Sequence, residues 1–365
     1  MASLIDLFII LPFIALLIYF QLKIIKYSRD KNAKFYCKIL LVLYIIIVFT
    51  FFLNVDYKFP AGFAMWLGMG IILGYFGLYN LINIKFLHRQ QEIKEIDKEF
   101  QEFRANTHEY IRKFFHFFFF GGVLLDVIIF NTITIALLEN IPGFAEFCNI
   151  NPFWPGFDFL ITPKYISPTL VDISVMVFFM IGVPFAIILE FFRLSPNMGI
   201  PFYRLFKKSL RPSEQYNVGH YYYFIFGIFM ASIFLPIACT FGILCLLCFG
   251  DTFASIIGKK IGKHKIKWES EKSWEGTISG SIITFITSYF FIGWELAIIL
   301  TLIFGIFDMI TPNLLKISDN LLYPLLAGII LYLIVVIFGY QIHAPIADIF
   351  AHFNEWYAMF YPEWA

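Results

Sequence analysis

The sequence predicts an all-α, polytopic integral membrane protein of about ten transmembrane helices, with both termini on the non-cytoplasmic side. Three observations predict it. Of the 365 residues, 60% are hydrophobic and only 15% charged, and the mean hydropathy of +0.77 lies far outside the range of soluble globular domains. Ten apolar runs approach the roughly 20 residues that a helix needs to cross the hydrocarbon core. The cations between those runs fall almost entirely on alternate loops.

The runs, in order, are 4–22, 39–54, 61–84, 114–138, 169–192, 220–235, 237–250, 276–293, 295–311 and 321–340. The first, within "MASLIDLFIILPFIALLIYF", lacks a basic leader and a small-residue cleavage site, so it is expected to be a retained span. With the next two it makes a three-span N-terminal extension, 1–84. A charged loop, 85–113, follows. Within it Ile93, Ile96, Phe100 and Phe103 share one helical stripe, which predicts an amphipathic helix on the interface or on the bundle; the plainer reading is a surface helix. After the fourth run comes an aromatic, Pro-rich outer loop, 139–168. The sixth and seventh runs are cut at Pro236 into two short helices, which a bundle accommodates by tilt or shielding. An aromatic non-cytoplasmic tail, 341–365, closes the chain.

The loops assigned to the cytoplasm hold six Lys and Arg from Lys23 to Lys38, seven from Lys85 to Lys113 and five from Arg193 to Arg211. Six more run from Lys259 to Lys272, and one is Lys316. The opposite face has only Lys58 and Lys164. That asymmetry follows the positive-inside rule, and adding or removing one span would scramble it. Every polar cluster of chemical interest then faces the cytoplasm. The five cysteines suggest neither a disulfide framework nor a metal site; Cys245 and Cys248 sit in an apolar run without His or carboxylate neighbours.

The richest stretch is "FGDTFASIIGKKIGKHKIKWESEKSWEGTISG", residues 249–280. Asp251 is expected to end an apolar helix at the membrane surface. Gly250, Ala254 and Gly258 recur every fourth residue, a small-residue face that lets a backbone or ligand approach. Six lysines, Lys259, Lys260, Lys263, Lys265, Lys267 and Lys272, surround Gly258 and Gly262, and Glu275 precedes the next run. Lysines alone would suit lipid headgroups. Carboxylates and lysines together suit a magnesium nucleoside triphosphate, the carboxylates taking the metal and the lysines neutralising phosphate. No soluble phosphate-binding pattern fits: Gly258 and Gly262 are one residue too close for a Walker A loop, and Lys263 is followed by His264.

Three further clusters lie on the same side. Arg112, Lys113 and His116 open the fourth run, with Arg112 and His116 one helical turn apart; membrane-surface anchoring is the plain alternative for the two cations. Glu190, Arg193, Arg211 and Glu214 form a second cluster of lower rank. Asp308 ends one run, and Asp319 with Asn320 begins another, where Asp319 has a helix N-cap as its plain reading. Acidic groups at membrane depth are costly and are read as functional first.

These blocks resemble the polyprenol kinase family, which includes dolichol kinase, phytol kinase and the CTP-dependent diacylglycerol kinase. The Arg-Lys-x-x-His segment stands here as Arg112, Lys113 and His116. The Gly-Asp-x-x-Ala-x-x-x-Gly-x-x-x-Gly run is matched by Gly250, Asp251, Ala254, Gly258 and Gly262, and Lys-Ser-x-Glu-Gly by Lys272, Ser273, Glu275 and Gly276. The late Asp-Asp-Asn-Leu and Pro are retained as Asp319, Asn320, Leu321 and Pro324, with Ser318 in place of the first aspartate and Asp308 where many members have Glu. The resemblance covers about 109–340, taken as the catalytic membrane domain, and is most similar to dolichol kinase.

It implies transfer of the γ-phosphoryl group of CTP to the terminal hydroxyl of a membrane isoprenoid alcohol. Asp251, Glu275, Asp319 and His116 are then the catalytic candidates, the three carboxylates holding Mg2+ or another divalent cation and His116 or Asp251 accepting the proton. Arg112, Lys113, Gly258, Lys259, Gly262, Lys263, Lys272, Ser273 and Asn320 are the nucleotide and phosphate candidates. Asp308 joins Glu190, Arg193, Arg211 and Glu214 in the second rank. Partners are CTP, the lipid alcohol and the bilayer, with no nucleic acid. The compartment is the endoplasmic reticulum membrane in a eukaryote or the plasma membrane in a prokaryote. Phosphatidate cytidylyltransferase is the enzymatic alternative, although its C-terminal His- and Arg-bearing signature is missing between Thr311 and Tyr340. A membrane transporter is the alternative from another class, against which stands the lack of an internal repeat.

Overall fold

The computed structural model describes residues 4–54, 58–82, 105–140, 170–195, 198, 200, 209–210, 214, 216–233, 235–311 and 318–346. The stripe from Ile93 to Phe103, the outer loop from 141, Arg211, Lys316 and the tail from 347 lie outside them. The described chain is mostly helical and divides into two compact units.

Unit one comprises Met1–Phe115 and Val177–Phe226. It contains α1 (Leu4–Tyr27), α2 (Lys31–Asn54), α3 (Lys58–Leu81), the start of α4 (Ala105–Asn140), most of α5 (Leu170–Leu194) and the first half of α6 (His220–Ser232). These helices coincide with the apolar runs because in lipid only a helix satisfies its own backbone hydrogen bonds. Pro12 and Pro184 lie inside α1 and α5, a placement that membrane helices tolerate. Aromatic rings fill the centre: Tyr44 meets Phe226 edge-on at 6.0 Å, and Phe76 stacks on Phe192 at 5.4 Å.

Unit two comprises His116–Met176 and Gly227–Ala365. Beside the rest of α4 it holds α7 (Ile237–Lys260), a hairpin of β1 (Lys265–Ile266) and β2 (Glu269–Ser273), α8 (Trp274–Asp308) and α9 (Asp319–Ile337). Among the described residues α7, α8 and α9 are long and apolar enough to cross a bilayer, and the chain is an integral membrane protein. The hairpin is an addition to the expected all-α class. Its strands pair antiparallel, Ile266 opposite Glu269 and Lys265 opposite Ser273.

One helix differs from expectation. Pro236, with φ −55° and ψ 151°, starts α7, as a residue without an N–H can. The helix continues past Gly250 to Lys260, so Asp251 lies within it and not at its end. Just before Asp251 the helix widens into a π turn over Leu246–Gly250, and the Asp251 N–H donates to the Leu246 carbonyl. In α8, Gly293 adopts φ 78° and ψ 173°, a conformation open to glycine and not to other residues. A straight helix of 35 residues would hold its ends about 50 Å apart. Instead the Thr277 hydroxyl donates to Asp308 Oδ2 at 2.5 Å, so the chain doubles back at Gly293, where the sequence divides its eighth and ninth runs.

Small residues let α7 and α8 meet backbone to backbone. A Cβ on Gly276 would lie 2.7 Å from the Ala254 carbonyl oxygen, and one on Gly280 would lie 2.7 Å from that of Gly250. The small-residue face read in the sequence is thus occupied by a helix.

Candidate functional site

The doubling of α8 brings both of its ends to one place, and α7, the hairpin and α9 converge there. Asp308, at the C-terminal end of α8 and buried, is the hub. Its Oδ2 accepts from Thr277, while its Oδ1 accepts from Lys272 Nζ at 2.7 Å and from the Tyr323 hydroxyl at 3.2 Å. Lys272 also donates to the Asp308 carbonyl at 2.8 Å, and the Thr311 and Tyr323 hydroxyls lie 3.2 Å apart. A buried ion pair persists where further hydrogen bonds satisfy both partners, and here the hairpin, α8 and α9 supply them.

Asp251 and Asp319 are each only 6% exposed, and Asn320 1%. Asp319 is the first residue of α9 and not its cap: Ser318 occupies the cap position, while Asp319 Oδ1 accepts from the Asn320 N–H at 2.9 Å. Neither side-chain amide atom of Asn320 has a hydrogen-bond partner among the described residues. An unmet buried amide is costly unless something else completes it.

His116 belongs to the same unit. Its carbonyl accepts from Cys248 Sγ at 3.3 Å, and Phe117 meets Phe249 at 5.1 Å, which sets α4 beside α7 a turn before Asp251. Its ring is buried. Arg112 and Lys113, in unit one and a turn earlier on α4, are each 2% exposed. Membrane-surface anchors would snorkel to water, so burial argues against the plain reading of these two cations.

Glu275 and its neighbours organise the hairpin. The Glu275 carboxylate accepts from the backbone N–H groups of Lys263 and His264 and contacts His264 Nδ1 at 2.6 Å. Ser273 caps α8, its hydroxyl accepting from the Gly276 N–H at 3.2 Å. Gly258 and Gly262 pack against Ser273, and a Cβ on Gly262 would overlap both Ser273 and the Gly258 carbonyl. Lys259 and Lys263 are exposed.

Glu190, Arg193 and Glu214 form a separate network inside unit one. Glu190 is fully buried; it accepts from Arg193 Nε at 2.8 Å, from the Gly219 N–H at 2.9 Å and from the Tyr221 hydroxyl. Arg193 also donates to the carbonyls of Glu214 and Asn217, and Glu214 Oε2 meets His220 Nδ1 at 3.1 Å.

Thr277, Thr311 and Tyr323 were not singled out in the sequence. Tyr323 lies one helical turn after Asp319 and Thr311 three residues after Asp308, so helical spacing was the signal available for both.

Among the described residues no three His, Cys, Asp or Glu side chains form a metal cage. The donors present are oxygens, and a hard cation such as Mg2+ is commonly held by one or two carboxylates together with substrate phosphates. Asp251, Asp319 and the Asn320 amide suit that mode.

No protein-family model matches the chain, and no solved structure matches it. Part of the chain is similar to the dolichol kinase sec59 of Schizosaccharomyces pombe, 38% identical over 88 residues. The aligned part is 23% of this chain and 17% of that protein. The similarity is thus partial, covering less than a fifth of that dolichol kinase's length.

Proposed function

We propose that this protein phosphorylates the terminal hydroxyl of a membrane isoprenoid alcohol, of the dolichol or polyprenol class, with CTP as donor. The observation that carries the reading is the burial of three aspartates on apolar helices, Asp251 within α7, Asp308 at the end of α8 and Asp319 at the start of α9. Acidic groups at such positions are retained for function, and the partial similarity to a dolichol kinase supplies the reaction class.

In this reading the lipid oxygen forms a bond to the γ-phosphorus, the bond from that phosphorus to the bridging oxygen breaks, and CDP leaves. Asp251 or His116 accepts the hydroxyl proton. Lys259 and Lys263 neutralise phosphate, the main demand of phosphoryl transfer; the sequence resemblance adds Arg112 and Lys113 to that role. Asp251 and Asp319 are the carboxylates that would hold a magnesium ion, which when bound offsets phosphate charge. Glu275, committed to the Lys263 and His264 backbone, contributes by holding the lysine-bearing loop. Lys272 and Tyr323 fix Asp308 and so the junction of α8, the hairpin and α9. The reaction faces the cytoplasm, in a eukaryote from the endoplasmic reticulum membrane.

The test supplies purified protein in detergent with magnesium, polyprenol and phosphatidic acid, and CTP labelled at either the γ or the α phosphate. Label from the γ position in a lipid monophosphate is expected. Label from the α position in a liponucleotide would establish the cytidylyltransferase instead, and no lipid label would favour a transporter.

A further inference from the structure

The hairpin between α7 and α8 has a face that the proposed chemistry does not use. Lys260, Lys265 and Lys267 are exposed, as are three bulky apolar side chains: Ile261 at 59%, Trp268 at 52% and Trp274 at 44%. Ile261 follows the last residue of α7, and Trp274 is the first residue of α8. Trp268, at the hairpin turn, donates its indole N–H to the Met309 carbonyl at 2.7 Å, directly after the end of α8. That bond pins the turn against the end of a membrane helix, so all three apolar side chains lie level with helix ends. Ile266 alone on β1 turns inward, at 1% exposure.

In water, three exposed apolar groups on so short a segment are unfavourable. At a bilayer surface they are favoured, because indoles settle among headgroups and lysines reach outward from them. A cluster of lysines immediately cytoplasmic of a span is complementary to anionic headgroups. We propose that the hairpin is a membrane-contact element that binds the anionic phospholipid leaflet, Ile261, Trp268 and Trp274 entering the interface while Lys260, Lys265 and Lys267 pair with headgroup phosphates. This is independent of the kinase reading, since none of these residues belongs to the phosphoryl-transfer machinery.

The test is hydrogen exchange of the backbone amides of residues 260–269 in the full-length protein, reconstituted in nanodiscs of phosphatidylcholine with or without phosphatidylserine. Exchange is expected to slow about tenfold with phosphatidylserine and to recover in concentrated salt, where screening shortens to about 3 Å at 1 M. The K265E/K267E variant is expected to lose that protection while α8 amides exchange as in the wild type. Equal exchange in both discs, or protection retained by K265E/K267E, would overturn the proposal. Protection in neutral discs by CTP alone, absent with phosphatidylserine alone, would assign the lysines to the nucleotide and likewise overturn it.

Discussion

Unit one and unit two each bury a polar network, and the two are built to different ends. In unit one, Glu190 accepts from a guanidinium, a backbone N–H and a phenol, while Arg193 also donates to two loop carbonyls. The partners just named lie between Glu190 and Tyr221, so these bonds tie a loop to α5. In unit two, Lys272, Thr277 and Tyr323 meet Asp308, and the buried Asn320 amide has neither atom bonded among the described residues. A network that completes itself holds structure, whereas one that leaves a buried amide unbonded among the described residues is suited to a ligand that completes it. Burial therefore does not distinguish a scaffold from a site; completeness does.

The largest expected effect is on the site side of this comparison. Asp251→Asn should lower phosphoryl transfer by about 10²- to 10³-fold or more, as loss of a transition-state electrostatic contact does, with unchanged expression and thermal unfolding; transfer at the wild-type rate would remove Asp251 from the site. The mirror experiment is Glu190→Ala, which leaves Arg193 buried without its carboxylate. It should cost about 3–5 kcal/mol of stability, seen as a lower unfolding temperature in detergent, with the remaining folded protein still active.

Gly293→Ala tests whether the turn assembles the site. Its positive φ predicts a cost of about 1–3 kcal/mol, and the His343 carbonyl occupies the space a Cβ would need. Activity should fall together with stability if the doubling of α8 brings Asp308 to Lys272; a stability loss with full activity per folded molecule would separate them. The smallest effect is pairwise. Unfolding of Lys272→Met, Asp308→Asn and the double variant should show a coupling energy of about 0.5–3 kcal/mol. Strict additivity would mean that the 2.7 Å contact does not act as a pair.

The blocks of the candidate site are readable in the sequence because they are short: Gly250 with Asp251, Lys272 with Ser273 and Glu275, and Asp319 with Asn320. Partnerships across long separations are not. Lys272 suits phosphate when read from its neighbours, but 36 residues along the chain Asp308 takes its charge. Glu275 suits a metal from its charge, yet the hairpin, two strands too short to leave a periodic signal, turns the Lys263 and His264 amides onto it. Gly258 and Gly262 suit a phosphate loop by composition, and their space is filled by Ser273.

By itself the sequence determined the membrane class and the position of the described apolar helices. These depend on composition and local hydropathy, which a bilayer reads residue by residue. Tertiary structure alone decided that Asp308 is a hub and that Glu190 is a scaffold. Each of those outcomes depends on which distant backbone or side chain completes a polar group or fills the space beside a glycine, and neither local pattern nor charge count contains that information.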